Sequence, residues 1–171
     1  MDPLEFEGTA GVDYPFGNLH TTCVNYATKE VILFGGKSNR YSNTTFVFSS
    51  DTLKWKKIET KGSTPSPRYG HSAVIYNNKM YVFGGYDNEG GKCNDLYVLS
   101  LDTKEWAMVK MSGAPNWPEA KYNHQATVMA VNDKDYMVVF GGSNGTCALS
   151  DVNAFDLHAQ TWYKDIKTAY T

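Results

Sequence analysis

The sequence predicts an all-β chain made of three four-stranded antiparallel units of related sequence. Three observations predict it. Apolar runs ending in a double glycine occur three times, as VILFGG (31–36), MYVFGG (80–85) and MVVFGG (137–142). A histidine opens a second apolar run upstream of each, in HTTCVNY at His20, HSAVIY at His71 and HQATVMAV at His124. Downstream of each lie an aromatic-rich run (TTFVF from 44, NDLYVLSL from 94, SDVNAFDL from 150) and a tryptophan after a polar turn, Trp55, Trp106 and Trp162. The glycine pairs begin at 35, 84 and 141, steps of 49 and 57, and a period near ~50 residues with this content indicates the blades of a β-propeller.

Each element follows from local chemistry. The runs are short and rich in Val, Ile, Tyr and Phe, which suit a pleated, half-buried surface. Polar breakers such as YNNKM and SLDTKEW separate them, and no segment keeps a helical apolar period over 11 residues. In the middle unit the strands, A to D, are expected at 71–76, 80–83, 95–101 and 105–110. Asn77-Asn78 and Asp102-Thr103 suit tight hairpin turns. The chain divides into an N-terminal tail (1–16), units at 17–60, 61–111 and 112–166, and a C-terminal tail (167–171).

These motifs together resemble the kelch repeat, the four-stranded blade of one class of β-propeller. The lead-in TPSPRYGHSAVIY (64–76) is typical of that family, and the resemblance runs over roughly 17–164. The third copy departs at PEAKYNH (118–124), where Lys121 stands in place of arginine, and the first departs further at PFGNLH (15–20). The resemblance implies a kelch-type propeller of three blades, which is an incomplete ring, since closed propellers usually have four to eight blades. Either two chains close a six-bladed ring as a homodimer, or a partner caps the open ends, or the chain is part of a longer protein.

Bulk properties narrow the function. Net charge is −2, the pI is near 6.1, and the arginines are two, Arg40 and Arg68. That balance argues against nucleic-acid binding. No apolar run reaches the ~20 residues of a membrane-spanning helix. Three cysteines and no basic, apolar leader indicate a cytoplasmic location with free thiols. The glycine pairs lack the lysine, the Ser/Thr and the following helix of a phosphate-binding loop, so Gly35, Gly36, Gly84, Gly85, Gly141 and Gly142 are expected to serve backbone geometry and close blade packing. Trp55, Trp106 and Trp162 are expected to pack between blades. His20, His71 and His124 lie on different blades without metal-ligand spacing, so hydrogen bonding is their expected role and no metal or cofactor is called for.

Function is expected where the repeats differ. Strands A and B are antiparallel, so the B–C loops (37–43, 86–94, 143–149) and D–A loops (59–70, 110–123) share one face, while the other face carries short turns. Long loops on a rigid scaffold concentrate binding residues. The candidates there are Arg40, Tyr41, Arg68, Tyr69, Tyr86, Asp87, Asn88, Glu89, Asn116, Trp117, Lys121, Tyr122 and Asn144, since Tyr, Trp and Arg are the usual interface anchors. The expected function is a non-catalytic protein-interaction module or scaffold that binds a protein partner through this face. Two alternatives stand beside it: an enzyme or a metal- or redox-binding propeller, for which Cys93 and Cys147 on B–C loops are the one notable feature, and blades that only complete a larger propeller.

Overall fold

The computed structural model describes residues 17–109 and 116–164. The expected tails 1–16 and 167–171, the loop residues 110–115 and the end of the third unit lie outside the described residues. The described residues form fourteen strands and no helix. The first sheet holds β1 (Thr21–Asn25), β2 (Glu30–Phe34), β3 (Thr45–Ser49) and β4 (Lys54–Ile58) in consecutive antiparallel order. Around the next meander, β7 (Ser72–Tyr76), β8 (Lys79–Asp87), β9 (Lys92–Ser100) and β10 (Glu105–Val109), two short strands are added. These are β5 (Lys61–Gly62), parallel to β10, and β6 (Arg68–Tyr69), antiparallel to β8. The third sheet is β11 (Gln125–Val131), β12 (Lys134–Phe140), β13 (Val152–Asp156) and β14 (Thr161–Tyr163). The chain is therefore all-β, with three kelch-type blades and an incomplete ring.

Two details depart from the strand limits read in the sequence. β8 runs on to Asp87, past the expected 83, and β9 starts at Lys92, before the expected 95, and ends at Ser100, because the second blade's hairpin stays paired past the glycines, with a register shift between Phe83 and Gly85. A glycine pair at left-handed angles (Gly84 φ 63°, Gly85 φ 100°) lets the strand bulge without ending. The β7–β8 turn is a two-residue hairpin with φ of 47° and 56° at Asn77 and Asn78. The β9–β10 turn is longer than Asp102-Thr103 alone: Ser100 pairs with Glu105, leaving a four-residue loop whose last residue, Lys104, takes φ 57°.

The first strands, β1, β7 and β11, lie side by side, so they line the inner edge of the arc. Two cores form between blades rather than within them. One joins Ile32, Phe34 and Val47 of the first blade to Met80, Val82, Leu99 and Trp106 of the second. The other joins Val74, Tyr81, Phe83 and Leu96 to Met137, Val139, Phe155 and Trp162. The alternation of a strand puts Ile32 and Phe34 on one side of β2, and the following blade covers them. Burying each such side chain contributes about 1.5–3 kcal/mol, so the repeat stabilises itself only by stacking.

Candidate functional site

The loops that bind blade to blade also shape the face they share. Arg68 stands at the start of the second blade, 1% exposed. Its amide donates to the Ser42 carbonyl and its carbonyl accepts from the Gly36 amide, both in the first blade. Its guanidinium turns into the second blade, donating to both Asp95 oxygens at 2.5 and 3.0 Å and to the Gly84 carbonyl at 3.0 Å. Burial pulls the Arg68 pKa down, but the hydrogen bonds and charge of Asp95 outweigh it and hold it above its ordinary value. Lys121 repeats the arrangement one blade on. It is fully buried, its amide donates to the Cys93 carbonyl, and its ammonium donates to Asp151 at 2.5 Å. Burial raises the Asp151 carboxyl, while the hydrogen bonds from Lys121 and Asn153 hold it below the usual range. A lysine thus replaces arginine in the third copy without losing the pair. Gly17 and Thr44 occupy these positions in the first blade, by alignment on His20 and on the β2–β3 register. Of the thirteen candidate positions, Arg68 and Lys121 are therefore occupied within the blades and are not presented to a partner.

Asp87 is also turned inward. Its Oδ1 accepts the amides of Glu89, Gly90 and Gly91, and Oδ2 accepts the Ser66 hydroxyl at 2.6 Å. Burial raises its carboxyl and these bonds outweigh that, leaving its pKa lowered. It shapes the hairpin tip on which Asn88 and Glu89 are exposed. Trp117 is half-buried: its indole N–H donates to the Asn94 carbonyl, and its ring meets Trp162 edge-on at 6.0 Å. Asn144 caps its own turn by accepting the amides of Thr146 and Cys147, and its carbonyl accepts from Lys92 Nζ at 2.6 Å. Arg40 and Asn116 are exposed.

The four candidate tyrosines come together in one row. Tyr41 meets Tyr69 edge-on at 5.1 Å, Tyr69 meets Tyr86 at 5.6 Å, and Tyr86 meets Tyr122 edge-on at 5.6 Å. The row crosses from the first blade's B–C loop to the third blade's lead-in, and each ring is half-buried. Burial, then the neighbouring Tyr41 hydroxyl, raises the Tyr69 phenol. Lys37 Nζ lies 5.2 Å from the ring centres of both Tyr41 and Tyr69, a cation–π contact that sequence reasoning missed. The available signal was positional: Lys37 directly follows a glycine pair, as do Tyr86 and Ser143. On the same face, the starts of β1, β7 and β11 line a recess of about 480 Å³ that includes His20, His71 and His124. His71 and His124 are buried, and burial pushes their pKa values down to about 3 and about 4, so both rings are neutral.

The cysteines do not form a pair. Cys93 is buried, its thiol donates to the Gly91 carbonyl, and burial pushes it up to about 12. Cys147 is exposed. Among the described residues no three His, Cys, Asp or Glu side chains gather as a metal site, and none forms a helix able to cross a membrane.

A family model described as the KLHDC2/KLHL20/DRC7 Kelch-repeats domain matches residues 13–170. The chain belongs to the kelch-repeat family. Among kelch and other relatives, human Kelch domain-containing protein 3 is 30% identical over 146 residues, 77% of this chain and 36% of its own length. Human Host cell factor 1 is 32% identical over 159 residues, 78% of this chain and 7% of its own. The Rho GTPase-activating protein gacHH of Dictyostelium discoideum is 30% identical over 158 residues, 89% of this chain and 10% of its own. The chain thus spans between about a fourteenth and about a third of the length of these relatives. Kelch repeats generally serve as protein-interaction modules.

Proposed function

We propose that this kelch chain is a non-catalytic, cytoplasmic protein-interaction module that takes a segment of a protein partner along the tyrosine row of its loop face. The observation that carries the reading is the continuity of the row: four half-buried rings, 5.1–5.6 Å apart, span all three blades. Tyrosine supplies large contact area at low cost in side-chain entropy, and its hydroxyl can bond a partner's backbone. Rings already packed on one another lose little further freedom on binding. Lys37 and Arg40 add positive charge at the first-blade end of the row, which favours a partner segment with an acidic residue there. Asn88, Glu89 and Asn116 form the polar rim. Arg68, Asp87 and Lys121 contribute indirectly, by fixing the loops that carry the row.

The test is a dissociation constant measured with a partner first captured by the wild-type chain and then purified. Tyr69→Ala, at the centre of the row, is expected to weaken binding at least about tenfold, in the range of an interface anchor. Lys54→Ala, on the exposed start of β4, is the control and is expected to leave binding unchanged. Circular dichroism checks that both variants fold. Equal affinity for wild type and Tyr69→Ala would remove the row from the binding face.

A further inference from the structure

The two interfaces between blades repeat one set of contacts. Phe34, ending β2, packs on His71 at 5.2 Å and Trp106 at 4.9 Å of the second blade. Phe83 packs on His124 at 5.4 Å and Trp162 at 4.9 Å of the third. The glycine after each phenylalanine closes on the same histidine: a Cβ at Gly35 would lie 2.7 Å from His71 Cε1, and one at Gly84 would lie 3.0 Å from His124 Cε1. The second glycine's amide then donates to the incoming lead-in, Gly36 to the Arg68 carbonyl and Gly85 to the Lys121 carbonyl.

The third instance of this set is unfilled. Phe140, equivalent to Phe34 and Phe83, is 57% exposed where they are fully buried. A Cβ at Gly141 would meet no histidine, and the Gly142 amide has no partner among the described residues. Cross-strand register places Met129 and Tyr163, 49% and 43% exposed, on the same side of the sheet as Phe140. At the other end of the arc, His20 and Trp55 are the equivalents of His71 and Trp106. Among the described residues no phenylalanine of a preceding blade reaches them; the ring against Trp55 is Phe48 of its own sheet.

We infer that Phe140 and its surrounding face dock on the His20 and Trp55 side of the first blade of a second copy of this chain, and that two copies close a six-bladed ring. The contacts required are those already made twice inside the chain, and the first blade carries the matching histidine and tryptophan. Gly17 and Thr44 stand where the other blades carry the buried ion pair, so this joint sets no unpaired charge inside it. Two chains supply six blades, within the range of closed propellers, and each gives one phenylalanine and receives one, as two-fold closure requires. The inference does not rest on the tyrosine row.

Light scattering and sedimentation over a range of concentrations test it, on wild type, Phe140→Glu, Gln125→Arg and Trp55→Glu. Wild type is expected at twice the 19.1 kDa chain mass. Each variant is expected to dissociate at least about 30-fold more readily, as for a central interface residue. Phe140 and Gln125 are exposed, so those two variants are expected to keep the wild-type circular dichroism spectrum. Mixing Phe140→Glu with Trp55→Glu is expected to restore a pair, because one joint is then intact. Monomeric wild type at ~100 µM would overturn the inference. So would a pair lost only with Phe140→Glu and kept with Trp55→Glu, which means phenylalanine faces meeting each other, or an open series of larger masses, which means no closure.

Discussion

Lowering the pH from 7 to 5 tests the burial of the blade histidines. His71 and His124 are neutral in the folded chain, with pKa values pushed down by burial to about 3 and about 4. In the unfolded chain a histidine titrates near ~6.5. Below that value the unfolded state binds more protons than the folded one, so stability falls as the pH falls. The fall continues until the pH reaches the folded values. At pH 5 each histidine lies about 1.5 units below its unfolded pKa, and 1.36 kcal/mol per unit makes this about 2 kcal/mol apiece. The two together cost about 4 kcal/mol between pH 7 and 5, which lowers the Tm by roughly 8–16 °C for a chain of this size. The carboxylates held low, Asp87, Asp151 and Asp156, contribute their losses only as the pH falls below the ordinary carboxylate range, so they do not confuse this window. Urea unfolding at pH 7, 6 and 5 and a fixed protein concentration measures the difference. The double variant His71→Gln/His124→Gln is expected to be less stable at pH 7 but nearly flat between pH 7 and 5. A wild-type loss under about 1 kcal/mol, or a double variant with the wild-type slope, would refute the reasoning.

Lys121→Ala leaves the Asp151 carboxylate in the blade without its cation; a loss of about 3–5 kcal/mol is expected by urea unfolding at pH 7. Because Asp151 is held low in the folded chain, the stability this pair contributes is present above the unfolded carboxylate pKa. It is expected to disappear as the pH falls through the folded value, which makes wild type and Lys121→Ala converge in acid. Titration with a thiol-specific disulfide reagent at pH 8 is expected to show one fast thiol, Cys147, and two slow ones, since burial pushes Cys23 and Cys93 up to about 12. A fast Cys93 would contradict the burial of the B–C hairpin, and a fast Cys23 the packing of β1.

Three copies of one pattern were enough to indicate the number of blades, the all-β class and the kelch family. Period-2 alternation, glycine pairs and recurring tryptophans are local signals, and each blade restates them. The geometry of the candidate site was legible only in part. That the long loops share one face follows from strand direction, and Tyr41, Tyr69, Tyr86 and Tyr122 stand out in those loops by residue type. Their contact with one another depends on how far each lead-in crosses to its neighbouring blade, which no local pattern encodes. Residue type misleads at Arg68 and Lys121. A cation in a loop resembles an anchor, and only the fold brings Asp95 and Asp151, 27 and 30 residues further on, to bury it. Lys37 shows the converse: a lone lysine in a loop carries no signal until two rings are placed beside it. The sequence by itself determined the repeating unit, because strand, turn and core face are set by neighbours in the chain. Tertiary structure alone decided which polar groups are occupied within the blades, which stay exposed on the loop face, and which phenylalanine is left uncovered, because those depend on contacts between blades some fifty residues apart.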